Sequence, residues 1–242
     1  SVQGGEKWGR YSIIGLPCQT ILRVRETTVE VVCQGEVIEQ HESADPFTFV
    51  AEYKQRFNVA PLKDVPQFSG GLVGYFSYDT VRYAEPTLGP SPGTDEIGTP
   101  EILLLLSEEV VVFDNLRGTI AMVCHVDPSQ PDALAQAEKR LDEIEGGLAK
   151  PLSLPVIEQD SRESSTQEQD FSSSFQQAPF EAAVDKIKEY ILAGDTMQVV
   201  LAQRMSIPYQ GEAIQAYRAL RYLNPSPYMV FFNMEDHAIV SA

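Results

Sequence analysis

Residues able to grip a zwitterion with a flat ring stand at the two ends of this chain. Arg10 offers a fork for a carboxylate, the Ser1 hydroxyl an acceptor for an ammonium, and Tyr228 and Met229 an aromatic face and a polarisable thioether that could flank an indole ring. Tyr228 and Met229 belong to Asn224-Pro225-Ser226-Pro227-Tyr228-Met229. Two prolines one residue apart remove donors and fix φ there, so this segment is extended and presents side chains instead of ladder amides. On residue type alone the plainer account is a surface ion pair for Arg10 and ordinary core packing for Tyr228 and Met229.

Other chemistry-bearing residues point to less. His41, His125 and His237 lack the spacing that sets two ligands on one helix face, and His125, closing a strand pattern after Cys124, reads as a structural histidine. Cys18, Cys33 and Cys124 are odd in number and widely spaced, each with apolar neighbours, and read as buried free thiols. Gly70-Gly71-Leu72-Val73-Gly74 is followed by no helix opening with Lys and Ser or Thr, so it reads as a strand approached closely by other backbone, not a phosphate cradle. Gln198, Gln203 and Arg204 on an apolar strand pattern suggest an internal hydrogen-bond network, and the acids between Glu158 and Asp170 a solvated run. No catalytic residue and no metal ligand is assigned.

Several elements must position these residues. Tyr11 to Gln40 reads as an antiparallel meander, and Asp45-Pro46 opens a helix with Phe47, Val50, Ala51 and Phe57 on its apolar face. The stretch from Glu85 to Pro100 is a proline-rich loop; strands follow at Ile102 to Leu106, Glu109 to Asp114 and Thr119 to His125. Pro131 to Ile144 is a helix facing inward through Leu134, Ala137, Leu141 and Ile144. Pro151 to Phe175 reads as a mobile linker. After it come a helix from Pro179 ended by Gly194, a strand from Met197 to Ile207, a helix from Gly211 to Leu223, and short strands at Met229 to Phe232 and Ile239-Val240. Strands and helices do not alternate regularly, so the expected class is α+β, antiparallel sheets packed with helices.

A chain of 242 residues with 43% hydrophobic content is long enough for one large core or two smaller ones. Its net charge of -17 and scattered Lys and Arg argue against nucleic acid and anionic membrane as partners, and its apolar runs are too short to cross a bilayer. A cytoplasmic protein is expected.

Gly9-Arg10-Tyr11-Ser12-Ile13-Ile14-Gly15, the Gly70 to Asp79 decamer, Ala193-Gly194-Asp195 running into Gln198 to Arg204, and Asn224 to Met229 together resemble the large subunit of anthranilate synthase. The resemblance implies an incomplete chorismate-utilising fold with three parts. These are a regulatory, tryptophan-binding domain over 1-150, a flexible linker over 151-175, and the truncated beginning of a chorismate-binding catalytic domain over 176-242. It makes Ser1, Arg10, Pro227, Tyr228 and Met229 the L-tryptophan contacts, and it reverses the plainer weighting. It further implies a Mg²⁺-dependent lyase converting chorismate and ammonia, delivered by a glutamine amidotransferase subunit, to anthranilate and pyruvate under tryptophan feedback. The Mg²⁺ ligands and catalytic groups are expected downstream, leaving this stretch inactive by itself, and a start at Ser1 without Met suggests an excised piece. Aminodeoxychorismate synthase large subunit and a stand-alone amino-acid sensing module are the alternatives. The region after Phe175 is expected to expose strand edges that invite self-association.

Overall fold

The computed structural model describes residues 9-60, 66-91, 95-151 and 166-242. In chain order the elements are β1 (Tyr11–Gly15), β2 (Thr20–Arg25), β3 (Thr28–Cys33), β4 (Glu36–Glu42), α1 (Pro46–Gln55), β5 (Gly71–Phe76), the one-turn α2 (Val81–Ala84), β6 (Ile102–Ser107), β7 (Glu109–Asp114), β8 (Thr119–Cys124) and α3 (Ala133–Leu148). They continue with β9 (Ser172–Ser173), α4 (Gln177–Ala193), β10 (Met205–Ser206), α5 (Ala213–Leu223), β11 (Val230–Asn233) and β12 (Ala238–Ser241). The class is α+β, as expected, and every strand pair is antiparallel. Two compact units comprise 1-151 with 216-242, and 152-215.

Strands β2 to β6 form a five-stranded sheet in the order β4-β3-β2-β6-β5. Alternation along the strands puts Leu22, Val24, Val29, Val31, Ile102 and Leu104 on one face, against Tyr53 of α1 with Phe47, Phe49 and Val50. Burial of each such side chain is worth about 1.5–3 kcal/mol, and a one-residue slip of β2, β3 or β6 would turn its two to the other face, so this layer sets the register. The Asp45 carboxylate caps α1 as anticipated, accepting from the backbone N–H of Phe47 at 3.1 Å and Thr48 at 3.2 Å. The helix face differs from the expected one. Phe49 and Tyr53 point inward, Ala51 is exposed, and Phe57 lies beyond the helix end and is exposed.

Glycine at 74 is required by a close approach, because a Cβ there would overlap the carbonyl oxygen of Leu103 on β6. This is the strand approached by other backbone that the glycine-rich decamer suggests.

The second sheet has the order β1-β7-β8. The expected meander from Tyr11 is thus corrected: β2, β3 and β4 form one, but β1 leaves it and pairs with β7, Tyr11 opposite Asp114 and Gly15 opposite Val110. Pro17 lies between β1 and β2, and β6 occupies the β2 edge that β1 would have used. Only Glu108 separates β6 from β7, so one residue joins the two sheets. Helix α3 packs on β8 and buries Ala137 and Ile144, while Leu134, expected inside, is exposed. Arg140 fastens this helix to β7 by a fork onto Glu109, with Nε and Nη2 each 2.9 Å from a carboxylate oxygen.

In the second unit α4 runs from Gln177 and ends, as expected, at Gly194 in the left-handed conformation with φ 84°. The expected strand over Met197 to Ile207 is not formed. Only Met205 and Ser206 pair, with Ser173 and Ser172. Met197 is 97% exposed and Val200 83%, and an apolar run without a ladder partner has nothing to hold it extended. Gln198, Gln203 and Arg204 are accordingly exposed, not an internal network. Of the expected linker, residues 152-165 lie outside the described residues. The remainder holds a short 3-10 turn at Glu168–Asp170 and β9.

Candidate functional site

Arg10 precedes β1 at the corner where that strand meets the end of β7. Its Nε lies 3.1 Å from Asp114 Oδ1 and its Nη2 2.7 Å from Oδ2, a bidentate ion pair closing the sheet edge. The Asp114 carboxylate also accepts from the backbone N–H groups of Leu116 and Arg117, each at 3.1 Å. Arg10 first, and these amides in addition, hold the Asp114 pKa down at about 2. The Arg10 guanidinium carbon further stands 4.8 Å from the Tyr11 ring centroid, and the Arg10 carbonyl accepts from Asn115 N–H at 2.7 Å. The ion pair of the plainer account is therefore present, in a partly buried and well-aimed form.

The other half of the predicted site is the turn after α5. Ser226 Oγ accepts from Tyr228 N–H at 3.2 Å, a local bond that shapes the turn between the prolines and β11. Pro227 is exposed and Tyr228 is 72% exposed, so core packing does not describe them; Met229 is half-buried. Ser1, the predicted ammonium partner, lies outside the described residues. Arg10, Pro227, Tyr228 and Met229 all belong to the first compact unit, although more than two hundred residues separate Arg10 from the turn in sequence.

Past the turn, β11 and β12 form a hairpin with Phe231 opposite Val240. Phe231 meets Tyr217 of α5 with ring centroids 5.8 Å apart. The hairpin tip closes by a bond from Met234 N–H to the His237 carbonyl at 2.9 Å, with Met234 buried. Glu235 reaches Arg23 Nη1 at 3.2 Å, and the His237 ring stands edge-on to Tyr75 at 6.0 Å. Sequence reasoning missed Asp114, Arg23 and Glu235; their only signal was charge, on a strand for the first two and in a turn for the third, which does not reveal partners one to two hundred residues away.

Each histidine has a hydrogen-bond partner. His125 Nε2 is 2.7 Å from the Ser69 carbonyl, matching the structural reading; His41 Nε2 is 2.7 Å from Glu39; His237 Nδ1 is 2.6 Å from Asp236. Cys18, Cys33 and Cys124 are free and half-buried, and burial pushes the Cys18 and Cys124 thiols above their usual range. Among the described residues no group of three or more His, Cys, Asp or Glu is arranged to hold a metal ion, and no helix is long and apolar enough to cross a membrane.

Residues 3–242 match the family of chorismate binding enzymes. The whole chain is 49% identical to anthranilate synthase component 1 of Pseudomonas aeruginosa and 42% identical to that of Neisseria meningitidis, covering 49% and 48% of those proteins. The chain thus spans about half the length of these curated relatives, an N-terminal portion. The crystal structure of anthranilate synthase component I from Streptococcus pneumoniae superposes with a TM-score of 0.74 at 26% identity, over 99% of this chain and 51% of that one.

Proposed function

The chain belongs to the chorismate binding enzyme family, and from that premise we propose that it is the tryptophan-sensing portion of an anthranilate synthase large subunit. The reaction served is conversion of chorismate and ammonia to anthranilate and pyruvate, by a cytoplasmic Mg²⁺-dependent lyase whose glutamine amidotransferase partner supplies the ammonia. Among the described residues no carboxylate cluster is fit to hold Mg²⁺. Its ligands and the groups that expel pyruvate are assigned to the portion of the relatives with which this chain does not align, and the chain by itself is expected to form no anthranilate.

The observation that carries the sensing role is the inclusion of Arg10 and the Pro227-Tyr228-Met229 turn in one compact unit. In this reading Asp114 pre-aims the Arg10 guanidinium, so little side-chain entropy remains to be lost when it meets a ligand carboxylate. Tyr228, largely in water, and Met229 present an aromatic face and a soft thioether to the indole. Feedback then follows as a population shift, tryptophan favouring the arrangement with weaker affinity for chorismate.

Calorimetric titration with L-tryptophan, with L-phenylalanine as control, tests this. Selective binding by the chain, weakened at least about tenfold in Arg10→Ala and in Met229→Ala, supports the reading. No heat from a chain that melts cooperatively would sink it.

A further inference from the structure

The five-stranded sheet has a second face, turned away from α1, and its central row sets charged and phenolic side chains on either side of a buried leucine. Register places Glu30, Arg23, Leu103 and Tyr75 directly opposite one another on β3, β2, β6 and β5, so all four project from the same side. Leu103, in the middle, is 1% exposed, whereas the two ends of the row carry a charge and a phenol. The tip of the β11-β12 hairpin meets the residues on both sides of Leu103. Glu235 takes Arg23 Nη1 at 3.2 Å while Glu30 holds Arg23 Nε at 2.6 Å, and the His237 ring sits edge-on to Tyr75 at 6.0 Å. Tyr75 is itself fixed by donating its hydroxyl to the Pro100 carbonyl at 3.0 Å.

We propose that this row is a docking track for the hairpin tip, and that Arg23 and Tyr75 are positioning residues that hold the Pro227-Tyr228-Met229 turn in its ligand-binding place. The turn joins β11 directly, at Val230. A hairpin of two four-residue strands cannot hold itself in water, so its position is set by whatever it docks on. Arg23 is also suited to a graded role. Glu30 keeps it oriented whether or not Glu235 is present, so the tip can lift without leaving an uncompensated guanidinium behind. The ligand arm of this inference rests on the tryptophan reading above; the docking arm does not.

The 242-residue chain serves for the test. Glu235→Lys sets a like charge beside Arg23, and His237→Leu removes the ring contact at the other end of the row. Expected are faster amide exchange confined to residues 228-241, an unchanged melting transition for the rest, and tryptophan affinity about two- to fivefold weaker, the range of a single partly exposed ion pair. A double-mutant cycle of Arg23→Ala and Glu235→Ala should show the two effects to be non-additive. If the unaltered chain binds tryptophan and Glu235→Lys binds it equally with unchanged exchange, the inference is overturned. If the unaltered chain does not bind tryptophan, the sensing reading fails and exchange alone decides the docking track: acceleration limited to the hairpin upholds it, no acceleration overturns it.

Discussion

Arg10 and Asp114 give the chain an acid limb with a calculable sign. The folded Asp114 carboxylate is held at about 2, below the roughly 4 of an unfolded aspartate, so its contribution to stability is complete above about pH 4 and fades as pH falls towards 2. Asp114→Asn should be less stable at neutral pH and should show a flatter stability profile between pH 4 and 2, measured by denaturant unfolding at each pH. A second residue-scale test is Gly74→Ala, where the added methyl meets backbone instead of a side chain that can rotate away. A loss of about 1–3 kcal/mol is expected by the same method. The role of Gly74 is legible in the sequence because three glycines among aromatic strand residues suit a strand pressed against other backbone and little else. The commitment of Arg10 is not, because its partner lies 104 residues away and an isolated arginine is silent about which acid it will find.

At the scale of elements, what local chemistry specifies is legible in the sequence and what a neighbour specifies is not. The Asp45 cap, the Gly194 stop and the β2-β3-β4 meander are decided within a few residues of chain. The Gly194 stop can be tested alone. With φ at 84°, Gly194→Ala pushes a Cβ into the left-handed region and should destabilise α4 by about 1 kcal/mol, seen as lost helical ellipticity at elevated temperature. By contrast Met197 to Arg204 has the apolar character of a strand and forms none, because a strand exists only as half of a pair and the described residues provide a partner only for Met205 and Ser206. The departure of β1 to the second sheet has the same origin: Ile13 and Ile14 suit either sheet, and the choice belonged to β7.

At the scale of the whole molecule, two long-range effects oppose each other. The second unit exposes Leu192 at 87%, with Met197 and Val200 similarly bare, a surface that drives association, while a net charge of -17 makes copies repel. The repulsion is screened beyond about 10 Å at 0.1 M salt and the apolar attraction is not. Sedimentation velocity should therefore find the chain nearly monomeric at low salt and self-associating as salt rises, with Met197→Lys and Val200→Lys together suppressing the effect. A monomer at all salt concentrations would count against an adhesive surface. The β1-β7 pairing carries a further consequence, for synthesis. A ribosome adds about 5–20 residues per second, so Tyr11 leaves the exit tunnel roughly 5–20 s before Asp114 does. Through that interval the five-stranded sheet can begin to assemble from β2 onwards while β1, with Ile13 and Ile14, stays unpaired. A strand made early thus stands without its ladder until a much later one arrives, an interval in which its apolar residues are open to chaperones and to wrong partners alike.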